Sequence, residues 1–346
     1  MIEVERRYTI DEAIGLFEMG LPELGAIADG IRWEIHPAGR VTFVIDRNIN
    51  YTNICTSRCK FCAFFREKGD ADAYVLSKEE IMSRIDEAVR LGATQIMLQG
   101  GLNPDLGIEY LEDLFRTIKS RFQIHLHSLS PPEIVHISRT SNMSIKETLS
   151  RLKDAGLDSL PGGGAEILED NFRRRVSPGK ISASEWLKVM EEAHGIGMLT
   201  TATMMFGAGE SIRDRLIHLK QIRDLQDRTH GFTAFIPWTY QPENTELGGR
   251  RVGGAEYLRM LAVSRIFLDN IPNIQASWVT QGLKIAQIAL FFGANDIGST
   301  MIEENVVRAA GARFRASLNE LVGLIKEVGF EACQRDTLYT RIIRVW

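Results

Sequence analysis

The feature that most constrains the fold is an alternation of strand-like and helix-like segments along most of the chain. Each strand candidate is a short apolar stretch, and the segments between them have the apolar spacing of amphipathic helices. The strand candidates are 41–45, 95–98, 123–127, 157–160, 199–206, 232–236, 274–278 and a weaker one at 294–297. This alternation indicates a parallel sheet with crossover helices, and eight candidates favour an α/β fold of the (β/α)8 TIM-barrel type.

The chain has 346 residues, which leaves room for short additions at both ends of such a barrel. We expect a helical N-terminal extension over residues 1–40, the barrel over 41–315, and a C-terminal helix and tail over 316–346 packed on the barrel. No Pro-rich or Ser-rich linker divides the sequence. Hydrophobic residues make up 44% and charged residues 25% of the chain, a composition typical of globular enzymes rather than disordered proteins.

Charge and hydropathy bear on the class of partner. Lys and Arg number 41 against 45 Asp and Glu, for a formal net charge of −4, so no global field favours nucleic acid. No apolar run approaches the ~18 residues of a membrane span, and the first seven residues lack the apolar core of a signal peptide. We therefore expect a cytoplasmic protein that binds neither nucleic acid nor membrane.

The four cysteines divide into a cluster and a single distant residue. Cys55, Cys59 and Cys62 have the spacing C-x3-C-x2-C, whereas Cys333 lies 271 residues beyond the last of them. This is not a disulfide framework, and structural zinc normally takes four protein ligands. Three thiolates on a 4Fe-4S cluster would leave one iron open to a substrate group, so an iron-sulfur centre is favoured.

The cysteine loop carries a family resemblance. Its spacing, its position after the first strand and the aromatic Phe61 before the third cysteine resemble the radical S-adenosylmethionine (SAM) enzymes. The resemblance implies a 4Fe-4S cluster, SAM as cosubstrate, a 5′-deoxyadenosyl radical, and an electron donor such as flavodoxin or ferredoxin. It also implies that Phe61 lies beside the cofactors.

Further cofactor contacts are implied by motifs at the ends of later strands. Gly100 and Gly101 stand where the superfamily has a Gly-Gly-Glu motif that contacts SAM, but Leu102 replaces the acidic residue, so only the glycine pair is carried over. Glu166, after the fourth strand, matches a position that holds the ribose or amine of SAM. Phe235, near the end of the sixth strand, is expected to contact the adenine.

Several longer segments resemble one subgroup of the family, which contains the futalosine-pathway menaquinone enzymes and the deazaflavin synthases. These segments are 48–53, 125–133, 161–166, 203–207, 232–238, 275–282 and 293–305. Within the subgroup they resemble the enzymes that cyclise dehypoxanthine futalosine. The implied reaction removes a hydrogen from the ribose of this small-molecule substrate and joins the sugar to the benzoate ring.

Restoring the aromatic ring in that reaction requires a base. His127 is placed at the C-terminal end of the third strand, where barrel chemistry occurs, and Asp296 is expected after the eighth strand. Both are predicted catalytic residues, with a hydrogen-bonded core histidine and a helix N-cap as the alternative interpretations. The run Arg173, Arg174 and Arg175 and the later Lys180 are further candidates for binding a carboxylate, although basic runs are usually solvated.

Three alternative functions remain open on the sequence. A sister radical SAM enzyme, an aminofutalosine synthase or a deazaflavin synthase component, would share the cluster and the barrel. A non-catalytic iron-sulfur electron carrier would require a fourth nearby cysteine. A zinc-binding module is disfavoured by the same missing ligand.

Overall fold

The computed structural model describes residues 7–346, and strands alternate with helices through most of this range. Residues 1–6, the start of the predicted extension and of the segment tested for a signal peptide, lie outside the described residues. The helices are α1 (Ile10–Leu16), α2 (Leu21–Ile35), α3 (Lys78–Arg90), α4 (Ile108–Arg121), α5 (Pro131–Thr140), α6 (Ile145–Ala155), α7 (Asp170–Val176), α8 (Ala183–Gly195), α9 (Ile212–Thr229), α10 (Gly254–Phe267), α11 (Trp278–Gln281), α12 (Leu283–Ala289), α13 (Val306–Ala309) and α14 (Leu318–Glu327). The strands are β1 (Arg40–Val44), β2 (Asp46–Ile49), β3 (Gln95–Leu98), β4 (His125–Leu126), β5 (Thr200–Phe206), β6 (Phe232–Thr239), β7 (Asn273–Ile274), β8 (Asp296–Ser299), β9 (Glu331–Arg335) and β10 (Ile342–Val345).

The strands close into a barrel. β2, β3 and β4 form one parallel group, β5, β6 and β7 form another, and β8 pairs in parallel with β1. Single bridges join the groups: His127 with Ser159, Leu160 with Thr200, and Gln275 with Asp296. Because β1 and β2 together occupy the first strand position, the ring closes on itself. The predicted (β/α)8 barrel is confirmed, with a fourth strand reduced to the two bridging positions.

Several helices begin at capping signals that the sequence contains. Ser77 accepts a hydrogen bond from the backbone of Glu80 and Glu80 accepts one in return, which starts α3 with a capping box. Ser182 and Glu185 start α8 in the same way. Most helices bury apolar side chains, as α3 does with Ile81 and its neighbours. Within residues 7–346, no helix is both long enough and apolar enough to cross a bilayer.

The C-terminal tail joins the sheet at the base of the barrel. β9 runs parallel to β1, and β10 is antiparallel to β9. The first strand position of the barrel therefore changes its partner at Ile45, because β1 pairs with β9 whereas β2 pairs with β3. The Gln334 side chain donates to the carbonyl of Gly92, just before β3 (3.2 Å). Arg335 and Tyr339, which belong to this tail, therefore lie at the base of the barrel interior.

Candidate active site

A cavity of about 410 Å³ opens inside the barrel and reaches from the cysteine loop to the tail. Its walls come from the inward-facing residues of the strands and from the loops that follow them. Of the sequence-predicted site residues, those that line it are Cys55, Cys59, Phe61, Cys62, Gly100, Gly101, His127, Glu166 and Lys180. Active sites of this fold lie at the C-terminal ends of the barrel strands. The structure therefore gathers these residues where the chemistry is expected.

Backbone contacts hold the cysteine loop at the mouth of the barrel. The Cys55 N–H donates to the carbonyl of Arg66 (3.0 Å), and the Thr56 N–H donates to that of Leu102 (3.1 Å). The second bond ties the cysteine loop directly to the loop after β3. The cysteine loop is thus positioned mainly by main-chain hydrogen bonds.

The glycine pair permits the close approach of these two loops. A Cβ atom at Gly101 would lie 2.2 Å from the carbonyl oxygen of Ile54 and 2.8 Å from the Cβ of Cys55. One at Gly100 would lie 2.6 Å from the Tyr51 ring. All three distances are shorter than those of real Cβ contacts, so packing requires glycine at both positions. This packing places the backbone after β3 against the first cysteine.

The cysteine cluster fits a multi-iron centre better than a single ion. Within residues 7–346, no three His, Cys, Asp or Glu side chains are arranged to hold one metal ion. Cys55, Cys59 and Cys62 nevertheless line one cavity, and a cubane distributes its thiolates over separate irons. Burial raises the pKa of the Cys59 thiol and raises that of Cys62 to about 11, so each needs a cationic centre to become a thiolate.

Glu166 and Lys180 form a buried ion pair in the cavity wall. Their side chains are only 4% and 13% exposed, and the Lys180 ammonium lies 5.1 Å from the centre of the Phe61 ring. Burial alone would lower the pKa of Lys180, but Cys59 and Glu166 raise it overall, so it remains cationic. Glu166 adopts φ +44°, an unusual left-handed conformation for a non-glycine residue. Glu166 and Phe61, both predicted to contact the cofactors, thus both contact Lys180.

Arg173 has a structural role instead. Its buried guanidinium donates to the carbonyls of Gly164, Ala165 and Ile181. These bonds join the loop that carries Glu166 to the segment that follows Lys180. Arg173 therefore supports the ion pair without lining the cavity.

Glu133 is a cavity residue that the sequence reasoning missed. Its carboxylate accepts hydrogen bonds from the Gly100 N–H (2.9 Å), the Tyr51 hydroxyl (2.9 Å) and the Ser130 hydroxyl (2.6 Å). Burial raises its pKa to about 7, against the lowering effect of these donors. In the sequence, Ser130 and Glu133 have the spacing of a helix capping box, a signal that points to local structure rather than to a site.

His127 lines the cavity from the position after β4, as predicted. Its Nδ1 lies 2.7 Å from the Ser159 hydroxyl oxygen, and Nε2 of His125 lies 2.7 Å from the same oxygen. Burial, assisted by His125 and Arg335, lowers the pKa of His127 to about 3. The imidazole is therefore neutral near pH 7 and better suited to hydrogen bonding than to proton abstraction. Its catalytic role stays a prediction.

Asp296 requires a correction, because it begins β8 rather than following it. The preceding Asn295 belongs to the turn, where its side chain binds Arg265 and the Ile274 backbone. Asp296 therefore lies at the base of the barrel, accepting hydrogen bonds from Thr42 (2.5 Å) and from the Arg335 guanidinium. It is fully buried and does not line the cavity.

Phe235 also requires a correction. β6 continues to Thr239, and alternate residues of a strand face opposite sides. The Phe235 ring faces outward to α9, with its centre 6.0 Å from that of the His218 ring. Ile236 and Trp238, two residues apart on the other face, line the cavity instead. The expected adenine contact at Phe235 is therefore wrong.

Comparison with known families accounts for the whole arrangement. Residues 49–222 match the radical SAM superfamily, and residues 229–344 match the CofH/MqnC C-terminal region. The chain belongs to the radical SAM superfamily. It is therefore an enzyme that uses a 4Fe-4S cluster and SAM, which excludes a non-catalytic iron-sulfur carrier and a zinc module.

Curated relatives cover nearly the whole chain. The cyclic dehypoxanthine futalosine synthase of Halalkalibacterium halodurans is 48% identical, over 98% of this chain and 92% of the relative. The enzyme of the same name from Streptomyces coelicolor is 46% identical, over 97% and 86%. A 5-amino-6-(D-ribitylamino)uracil–L-tyrosine 4-hydroxyphenyl transferase from Methanopyrus kandleri is 41% identical, over 96% of each chain.

Solved structures share the fold at low sequence identity. Methylornithine synthase superimposes with a TM-score of 0.74 at 19% identity, over 94% of each chain. The FeFe-hydrogenase maturase HydG from Carboxydothermus hydrogenoformans gives 0.76 at 18% identity, over 97% of this chain and 79% of that one. The likeness therefore extends over the fold of nearly the whole chain.

Proposed function

We propose that this radical SAM enzyme cyclises dehypoxanthine futalosine in menaquinone biosynthesis. The observation that carries the proposal is the identity of 46–48% with two curated enzymes of that name across almost the entire chain. Relatives named as tyrosine 4-hydroxyphenyl transferases are 40–43% identical. Because these transferases are nearly as similar, their reaction is the alternative that an experiment must distinguish from the cyclisation.

The chemistry of the cavity supports a substrate with one aromatic and one polyhydroxylic part. Met97, Ile236 and Trp238 supply apolar surface suited to a benzoate ring. Asp46 and Asn48 supply hydrogen-bonding groups suited to a ribose. A purely apolar barrel interior, the usual case for this fold, would offer nothing to the sugar.

The residues of the mouth are assigned to the cofactors. When bound, the cluster and SAM would supply the radical chemistry that removes hydrogen from carbon. We assign the cluster to Cys55, Cys59 and Cys62. We assign SAM to the backbone of Gly100 and Gly101, to Phe61 and to the Glu166–Lys180 pair. A flavodoxin or ferredoxin is the proposed electron donor.

The two predicted catalytic residues receive different assignments. His127 is retained as a neutral group that hydrogen-bonds the substrate, since Ser159 already occupies its Nδ1. Asp296 is reassigned as a positioning residue that holds Arg335 at the cavity floor, because its carboxylate is already engaged by that guanidinium and by Thr42.

An anaerobic turnover experiment tests the function. The protein is reconstituted with iron and sulfide, reduced, and supplied with SAM and dehypoxanthine futalosine, and the products are identified by mass spectrometry. We expect 5′-deoxyadenosine and the cyclised product in equal amounts. A parallel reaction contains tyrosine and 5-amino-6-(D-ribitylamino)uracil. Product in that reaction, with none in the first, would replace the proposed function by the sister reaction.

A further inference from the structure

One side of the cavity is lined by acceptor groups that no cofactor assignment uses. It consists of Asp46 and Asn48 on β2 and Glu304 just after β8, here called the acceptor wall. We propose that the acceptor wall binds the ribose hydroxyl groups of the substrate and so directs the aromatic acid end to the opposite side. The identity of the sugar rests on the proposed function.

Asn48 provides the observation that points to a ligand. Its side chain is 4% exposed, and its Nδ2 donates to Oε2 of Glu304 (3.3 Å). Because a carboxylate oxygen accepts, this contact determines which end of the amide faces Glu304. The Oδ1 atom is then left buried with no hydrogen-bond partner among residues 7–346. A buried acceptor in a cavity wall needs a donor, and a hydroxyl group of a ligand in the cavity can supply one.

The two carboxyl groups of the wall also retain binding capacity. Asp46 accepts from Gln95 Nε2 (2.6 Å) and from the Ser299 hydroxyl, which leaves each of its oxygens a further lone pair. The other Glu304 oxygen accepts from the Val307 N–H (2.9 Å). Neither carboxyl forms an ion pair with any residue in the described range 7–346. The wall is thus rich in acceptors, and the cation that acts on Asp46, the Arg335 guanidinium, is already paired with Asp296.

A sugar hydroxyl matches this wall, whereas a carboxylate does not. A hydroxyl both donates and accepts, so it can bind Asn48 Oδ1 and a carboxyl group in either protonation state. The benzoate carboxylate has no proton to donate, and ionised acids at the wall would repel it. Burial raises the pKa of both Asp46 and Glu304, and their hydroxyl-binding capacity persists when they are protonated.

Position in the barrel distinguishes the substrate ribose from the ribose of SAM. The acceptor wall belongs to the first and eighth strands, whereas Glu166 and Lys180 follow the fourth strand, on the far side of the ring. Asp46 also begins β2, deeper in the barrel than the cysteine loop at the mouth. SAM must reach an iron of the cluster, so its ribose is assigned to the Glu166 side. The deeper wall remains for the substrate.

Anaerobic calorimetry without reductant tests the wall while turnover is prevented. The probes are dehypoxanthine futalosine, its analogue lacking the two ribose ring hydroxyls, and SAM. For Asn48→Ala we expect about tenfold weaker binding of the full substrate, the loss of one hydrogen bond, with unchanged affinity for the analogue and for SAM. Glu304→Gln, on the loop at the edge of the cavity, is a second variant and is expected to show the same selectivity.

Met97→Leu is the matched control, since Met97 pairs with Asn48 across the strands and lines the same cavity without a polar group. It should change the affinities for substrate and analogue by the same factor. Equal weakening of substrate and analogue in Asn48→Ala and Glu304→Gln, or weakening of SAM alone, would overturn the inference. If wild-type enzyme cyclises the substrate and both variants bind it normally, the inference fails while the function stands. If wild-type enzyme neither binds nor cyclises it, the proposed function fails.

Discussion

The mouth and the base of the barrel are organised by different kinds of interaction. At the mouth, main-chain hydrogen bonds hold the cysteine loop, and Gly101 packs against it with no room for a side chain. At the base, side chains distant in sequence meet, as Asp296 of β8 does with Arg335 of β9. Substitutions at the mouth should therefore remove the chemistry, whereas those at the base should remove stability.

The largest expected effect is the loss of the cluster at the mouth. Cys59→Ala should abolish formation of 5′-deoxyadenosine and lower the iron bound after reconstitution, because the remaining two thiolates cannot hold the cubane. The urea midpoint of the apoprotein should change little. Cys333→Ala is the control, since Cys333 is buried in β9 at the base and should leave the iron content unchanged. Normal iron content in Cys59→Ala would contradict the assignment.

The second prediction concerns the buried ion pair between Asp296 and Arg335 at the base. Arg335→Met leaves the Asp296 carboxylate buried without its partner, and we expect a loss of about 3–5 kcal/mol in the free energy of unfolding. Urea unfolding of the apoprotein measures it. The matched control is Arg90→Met, whose pair with Asp86 lies on the surface of α3 and should contribute below about 1 kcal/mol. Equal losses in the two variants would contradict the distinction between buried and exposed pairs.

The same comparison explains what the sequence could predict. The barrel follows from local patterns, since capping signals and apolar periodicity act over a few residues. The mouth was predictable because its chemistry is concentrated in a short motif from Cys55 to Cys62 and in the glycine pair after β3. Both are contiguous in sequence.

The side-chain contacts at the base could not be predicted from local sequence patterns. The pairing of Asp296 with Arg335 joins residues 39 positions apart, and neither position carries a local signal of the other. Phe235 was misplaced because a strand boundary drawn at 236 instead of 239 hides the alternation that points Trp238 inward. Glu133 was missed because its spacing from Ser130 is that of a helix cap. Long-range partners and strand limits, not residue types, were the missing information.

The third prediction tests whether packing at Gly101 positions the cysteine loop. In Gly101→Ala, the added methyl group would collide with the Ile54 carbonyl and push the loops apart, at a cost of about 1–3 kcal/mol. We expect lower iron content and slower formation of 5′-deoxyadenosine. Gly323→Ala, in α14 with no atom within 4 Å of the new Cβ, is the control and should stabilise the protein by about 0.5–1 kcal/mol. A fully loaded, active Gly101→Ala enzyme would refute the requirement for glycine.

The last prediction concerns how stability depends on pH, through Glu133 at the mouth. Its pKa rises from 4.5 to about 7 on folding, so between these values the folded state holds a proton that the unfolded chain releases. Glu133 therefore contributes stability that is fully present below about pH 4.5 and is lost as pH rises through about 7, by at most ~1.4 kcal/mol per pH unit.

Glu133→Gln isolates this contribution, because the amide can still accept from Gly100 and Tyr51 but does not titrate. Urea unfolding of the apoproteins between pH 4.5 and about 7 should show that the free energy of unfolding depends less on pH in the variant. Other titrating groups affect both proteins alike. Tyr51→Phe removes a donor that favours the carboxylate, so it should extend the falling part of the profile to higher pH. Parallel profiles for wild type and Glu133→Gln would mean that Glu133 has the same pKa in the folded and the unfolded chain, and the raised pKa would then be wrong.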